Sequence, residues 1–184
     1  MRIICIRHGE TPGNAKGLVM GNISGRLGML DHHGIKQSEE AAKELRTAKI
    51  DAIYSSPMER AVETAKIIAR HHMGIPFILA DELKERDFGD WDGKRESDVP
   101  WNDRWNSGYR PGNTGETPEE YYGRVKGFLK ALFEKYPDGE VLLVGHASLG
   151  RVLGAIQAKR GPEAAKEMHH QENAEIEYYT IDSI

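Results

Sequence analysis

Short apolar runs alternate with amphipathic stretches along the whole chain. Residues 3–6, 52–54, 77–79 and 141–144 are brief, apolar and flanked by polar or turn-forming residues, which predicts buried strands. Residues 175–181 alternate polar and apolar side chains and predict a half-exposed last strand. Between these runs the period lengthens to that of a helix. Residues 34–48 set Ile35, Ala41, Ala42 and Leu45 against a charged face, and residues 57–72 carry Val62, Ala65, Ile68 and Ala69. Residues 118–136 carry Tyr122, Val125, Phe128, Leu129 and Leu132, and a fourth helix is predicted over about 148–159. Ser56-Pro57-Met58-Glu59 and Thr117-Pro118-Glu119-Glu120 both read as capping boxes with proline at the first helical position.

Strands alternating with helices predict an α/β fold: a three-layer α/β/α sandwich whose central sheet is mostly parallel, with an antiparallel edge strand. The length suits one domain over residues 1–184. A long irregular insertion at about 94–117, densest in Gly, Asn, Pro and Trp over 97–116, reads as a lid or specificity segment, since loops of that length are uncommon without a function.

Composition narrows the chemistry. The chain of 184 residues is 39% hydrophobic and 29% charged, with a formal charge of −4. That balance argues against a nucleic-acid or membrane-surface binder, so an anion site must come from a local cluster of cations. The single Cys5 cannot form an internal disulfide, and its isoleucine neighbours predict a buried, inert thiol in a reducing, cytoplasmic setting. The first apolar run ends at Arg7, too soon for a signal peptide, and no window approaches a membrane span.

In such a sheet, ligands gather beyond the carboxyl ends of the strands. Arg7-His8-Gly9 follows the first strand, Ser55-Ser56-Pro57 the second, with Arg60 just inside the next helix, and Gly145-His146-Ala147-Ser148 the fourth. Two histidines and two arginines converge on one rim if those strands are neighbours. Arg60 is the most informative of them, because a cation in the first turn of a helix opposes the helix dipole and a bound anion would relieve the conflict. Six of the eight histidines form adjacent pairs (His32-His33, His71-His72, His169-His170), which are poor chelators, and no spacing resembles a zinc site; no metal is expected. His8 and His146 stand alone beside glycines.

Neutral imidazole is a good nucleophile toward phosphorus, and arginine forks neutralise the non-bridging oxygens. The leaving alkoxide needs a proton, so a carboxylic acid is expected nearby; candidates lie in Leu83-Lys84-Glu85-Arg86-Asp87-Phe88-Gly89-Asp90-Trp91-Asp92-Gly93. Gly-rich nucleotide loops are absent, and a cysteine-based phosphatase would need arginine where Thr11 stands.

These residues resemble the histidine phosphatase superfamily, also called phosphoglycerate-mutase-like. Arg7-His8-Gly9-Glu10-Thr11 with Asn14, then Ser55-Ser56-Pro57 with Arg60, Glu85 in its Phe-Gly-x-Trp-x-Gly block, Gly115-Glu116-Thr117, Val144-Gly145-His146 and Asn173 follow in the family's order. The resemblance implies His8 as the phosphorylated nucleophile, with its other ring nitrogen fixed by a backbone carbonyl. It implies Arg7, Arg60 and His146 as phosphoryl ligands, Glu85 as proton donor and later base, and Asn14 and Ala147 lining the phosphate pocket. It implies no cofactor. Met29-Leu30-Asp31 replaces the usual Pro-Leu-Thr, and Ala147-Ser148 replaces two glycines, both at the pocket's border. The chain has no Arg-Arg pair and is compact, which favours a phosphomonoester hydrolase of the phosphatase branch over a cofactor-dependent phosphoglycerate mutase, although Arg86 is a mutase-like feature. A phosphate-binding module without catalysis would lack one of these residues, and none is missing. The expected partners are a small phosphorylated substrate and, in an assembly, a second copy in a homodimer. Lys94, Arg95, Arg104, Arg110, Trp101, Trp105 and Tyr109 are candidates to contact that substrate or to pack as a flap.

Overall fold

The computed structural model describes residues 1–184. Five strands, β1 (Arg2–Arg7), β2 (Ala52–Ser55), β3 (Phe77–Leu79), β4 (Glu140–Gly145) and β5 (Ile176–Thr180), form one sheet in the order β3-β2-β4-β1-β5. The first four are parallel, and β5 runs antiparallel to β1 at the edge. Helices α1 (Pro12–Ala15), α2 (His32–Leu45), α3 (Glu59–Ala69), α4 (Pro118–Lys135) and α5 (Ala147–Gln157) complete the layers. No helix is long and apolar enough to cross a membrane.

The period of two explains the layering. Ile3 and Cys5 of β1, with Val141 and Leu143 of β4, face the cluster built by Val125, Leu129 and Leu132 of α4 and Leu149, Val152 and Leu153 of α5. Ile4, Ile6, Leu142 and Val144 face the other way, onto Ala41 and Leu45 of α2 and Ala61, Ala65 and Ile68 of α3. Both faces of β1 and β4 are therefore covered, which is why their residues are apolar without a polar alternate. Each fully buried Leu or Ile contributes about 1.5–3 kcal/mol to the fold.

Two expectations need correction. β3 is an edge strand rather than a buried one: Phe77 and Leu79 are 37% and 52% exposed, since only β2 pairs with it. Ser56 is not a helix cap; α3 starts at Glu59 with Met58 at the N-cap and no side-chain cap, and Ser56 serves the rim of the sheet instead. The second capping box forms as predicted, with Thr117 accepting from the Glu120 amide and Glu120 accepting from the Thr117 amide. The last strand is the antiparallel edge the alternation implied.

Candidate active site

β4 lies between β1 and β2, so the three strand ends that carry Arg7-His8, Ser55-Ser56 and Gly145-His146 open side by side. The register Arg7↔Gly145 and Ser55↔Val144 sets them level. His8 continues the ladder by donating its amide to Gly145 O at 3.0 Å, and Ser56 does the same to Val144 O at 2.9 Å. The His8 and His146 rings meet edge to face, 5.1 Å between centroids.

His8 is 2% exposed, and both ring nitrogens are engaged. Nδ1 lies 2.7 Å from Gly9 O, and Nε2 accepts from Arg60 Nε at 3.1 Å. A carbonyl can only accept, so Nδ1 carries the proton; a guanidinium can only donate, so Nε2 keeps its lone pair. The two bonds assign the same tautomer. Burial, then Arg60 and Arg7, hold the imidazole well below its ordinary value, so it stays neutral.

The turn after β1 is shaped by close backbone approach. Gly9 donates its amide to Thr64 Oγ1 at 3.0 Å, and a Cβ at Gly9 would sit 2.3 Å from Gly34 O. Only glycine lets the chain pass against the start of α2 here. Below it, Asn14 Oδ1 accepts from Thr11 Oγ1 at 2.9 Å, while Asn173 Nδ2 donates to His8 O at 3.0 Å.

Arg60 is 1% exposed, so its cation does not face solvent. Its Nη1 and Nη2 donate to Ile23 O and Gly21 O, each at 2.9 Å. Burial pulls it down to about 10, with Glu85 opposing. Arg7 Nη1 donates to Gln171 O at 2.7 Å and its Nε is buried without a partner. His146 Nε2 pairs with Ser56 Oγ at 2.9 Å, and its Nδ1 is buried without a partner. Burial, then Arg60, holds that ring neutral as well.

A cleft of about 60 Å³ opens above this floor. Arg7, His8, Asn14, Glu85 and Ala147 line it; Arg60 and His146 are not on its lining and meet it through their contacts with His8. Glu85 Oε1 accepts from the Arg86 amide at 2.8 Å, which orients the carboxyl. His146 is the N-cap of α5, so the first amides of that helix and Ser148 face the same space.

Of the insertion's candidates, Trp101, Arg104 and Trp105 reach the cleft and Lys94, Arg95, Arg110 and Tyr109 do not. Arg110 pairs with Glu120 at 2.6 Å on the surface. Trp101 and Tyr109 pack on the Val19, Phe88 and Trp91 cluster, as flap aromatics would. Arg86, the mutase-like feature, is fully buried and is not on the cleft's lining: it ties the insertion down through Glu116 O at 2.9 Å and Arg104 O at 2.5 Å. Ser148 lies on the wall, at the border where the sequence put it, but sequence reasoning missed Glu96, Arg151 and His170 on the walls, and Thr64 and Gln171 behind them. His170 was visible only as half of an adjacent pair, and nothing local marks Gln171.

The family model of the histidine phosphatase superfamily (branch 1) matches residues 3–183. Among relatives, phosphoserine phosphatase 1 of Hydrogenobacter thermophilus is 30% identical over 155 residues, 79% of this chain and 71% of that protein. The adenosylcobalamin/alpha-ribazole phosphatase of Escherichia coli is 30% identical over 179 residues, 92% of this chain and 84% of that protein. The mycobacterial glucosyl-3-phosphoglycerate phosphatase superposes with a TM-score of 0.85 over 96% of this chain and 90% of its own, at 24% identity, a likeness of fold.

Proposed function

The chain belongs to the histidine phosphatase superfamily (branch 1), and from that premise we propose how its cleft hydrolyses a small phosphomonoester through a phosphohistidine on His8. The observation that carries this reading is the His8 tautomer: Nδ1 donates its proton to the hydrogen bond with Gly9 O, and Nε2, which accepts from Arg60, is left unprotonated at the floor of the cleft.

In the first step the Nε2 lone pair attacks phosphorus as the ester P–O bond breaks. Arg60 Nε passes its hydrogen bond from Nε2 to a phosphoryl oxygen, joined by Arg7 and His146, while Asn14, Ala147 and the start of α5 line the oxyanion's surroundings. Glu85 gives its proton to the leaving alkoxide and, as a carboxylate, takes one from the water that then attacks the phosphohistidine. The P–N bond breaks, inorganic phosphate leaves, and His8 returns to its starting tautomer. Glu85 lies near enough to both arginines for its charge to act on each of them.

The phosphatase reading is preferred to a mutase because the chain has no Arg-Arg clamp and Arg86 is buried and off the cleft's lining. Residues 94–117 act in this reading as wall and lid of the cleft within one domain, supported by Trp101, Arg104 and Trp105 on its lining. The substrate is a small phosphorylated metabolite.

The test is release of phosphate from p-nitrophenyl phosphate. His8→Ala abolishes it, and wild-type protein quenched in alkaline detergent carries an acid-labile, base-stable phosphoryl group that the variant lacks. Retained turnover in His8→Ala sinks the mechanism. A panel run with and without 2,3-bisphosphoglycerate separates the branches: free phosphate marks the hydrolase, interconversion of 2- and 3-phosphoglycerate the mutase.

A further inference from the structure

The walls of the cleft carry more positive charge than one phosphoryl group needs. Beyond Arg7, and Arg60 behind His8, they hold Arg104 from the Trp101–Trp105 turn, Arg151 from α5, and His170 from the segment before β5. Both arginines are pinned by the protein, and by carbonyls rather than carboxylates. Arg104 Nη1 donates to Trp101 O at 2.5 Å, and its guanidinium stacks 4.1 Å from the centroid of the Trp101 ring. Arg151 uses Nη1 alone for Ala165 O, Lys166 O and Met168 O, at 3.0, 3.1 and 2.9 Å, while its Nε is buried without a partner. Both forks are thus held in place in advance, and a ligand would not have to order them.

These cations also act on one another. Arg104 is pulled down to about 10 by burial and then by Arg151. His170 is pulled down to about 4 by burial, then by Arg7, Arg151 and Arg104, so three guanidinium groups bear on one imidazole. Glu96 on the same wall is a weak counterweight, since burial pushes its own carboxyl up against the pull of Arg104 and Arg7. Three guanidinium groups gathered with only Glu85 and Glu96 to oppose them repel one another, and a second anion beside the phosphoryl group would offset that repulsion.

We propose that Arg104, Arg151 and His170 form a second oxyanion subsite, which makes the preferred substrates phosphomonoesters carrying a further carboxylate or phosphate a few bonds from the ester. The inference rests on the reading of His8, Arg7 and Arg60 as the phosphoryl site. It also gives the insertion a role in specificity: Arg104 reaches the cleft only because Arg86 and Trp101 hold that turn against it.

Two matched substrate pairs test it. 3-Phosphoglycerate and glycerol 3-phosphate differ by one carboxylate, and fructose 1,6-bisphosphate and fructose 6-phosphate by one phosphate. The doubly anionic member of at least one pair is expected to show a kcat/KM about tenfold higher or more, mainly through KM, the size of one charge-assisted hydrogen bond. The pair that responds identifies the oxyanion. Arg104→Gln and His170→Ala should each shrink that preference severalfold. Both positions avoid the Arg151 anchor, whose loss would release the segment it holds. Turnover of p-nitrophenyl phosphate with equal kcat/KM within both pairs, or a preference that survives both variants, overturns the subsite alone. No turnover of any of the five compounds overturns the phosphatase reading, and the subsite with it.

Discussion

Lowering the pH from 7 to 5.5 should cost this fold stability through two imidazoles at the floor of the cleft. His8 and His146 are 2% and 0% exposed, and burial followed by Arg60 depresses both. In the unfolded chain each titrates near 6.5, so below that pH the unfolded state binds protons that the folded state refuses. Their contribution is complete above about pH 6.5 and is lost as the pH falls. The slope is about 1.4 kcal/mol per pH unit for each group, which integrates to about 2.5 kcal/mol for the pair between pH 7 and 5.5. Asp92 works in the opposite direction. Its carboxyl is pushed up to about 6 by burial, so the folded chain binds its proton first and regains about 0.8 kcal/mol over the same range. These three groups give a net expected loss of about 1.7 kcal/mol, and half-exposed His170, held at about 4, adds to it. Urea unfolding followed by tryptophan fluorescence measures it, in buffers free of phosphate and sulfate because an anion bound to the folded state would mask the effect. His146→Gln isolates the cause, since it removes one titrating group and keeps a side chain able to hydrogen-bond Ser56. The pH-dependent loss should fall by about 1.2 kcal/mol in that variant. A wild-type stability that does not drop, or a variant with the same drop, refutes the reasoning.

Four further outcomes follow from the same geometry. Glu85→Gln should lower kcat for a poor leaving group by about 10²–10⁴-fold, and much less for p-nitrophenolate, which leaves without a proton; an equal loss on both would remove Glu85 as the acid. Gly34→Ala should destabilise by about 1–3 kcal/mol or more and lower phosphatase activity, because its Cβ would fall 2.1 Å from Glu10 O in the loop that follows His8; an unchanged Tm would contradict the packing. Thr117→Ala should cost about 1 kcal/mol in urea unfolding with little change in kcat/KM, since it removes the N-cap of α4 on the far side of the insertion. EDTA should leave p-nitrophenyl phosphate turnover intact, and inhibition restored by a divalent ion would require a metal in the mechanism.

Much of the site is legible along the chain because its parts sit at strand ends. The apolar runs locate β1 and β4, and the polar residues that follow them put Arg7, His8 and His146 on one rim. Arg60 is legible for an electrostatic reason, as a cation in the first turn of a helix. Ser56 shows where local reading fails: the Ser-Pro-x-Glu pattern matches a capping box, yet its hydroxyl pairs with His146 Nε2, ninety positions away in the chain. β3 shows the same limit, since an apolar triplet does not say whether a second strand will cover its far side.

The sequence alone therefore determined the layers, the rim and the candidates for nucleophile, anion ligand and acid, because periodicity and residue type act over a few neighbours. Only the tertiary structure decided the charge state and company of those groups. Nothing near His8 in the chain places Arg60 Nε on its Nε2, and nothing near Arg104 places Arg151 and His170 on the same wall. Those approaches depend on strand order and on the path of the insertion, and burial then turns ordinary histidines into neutral ones. Proton position and local field are properties of the folded surroundings, so they become readable only when residues distant in the chain share one cleft.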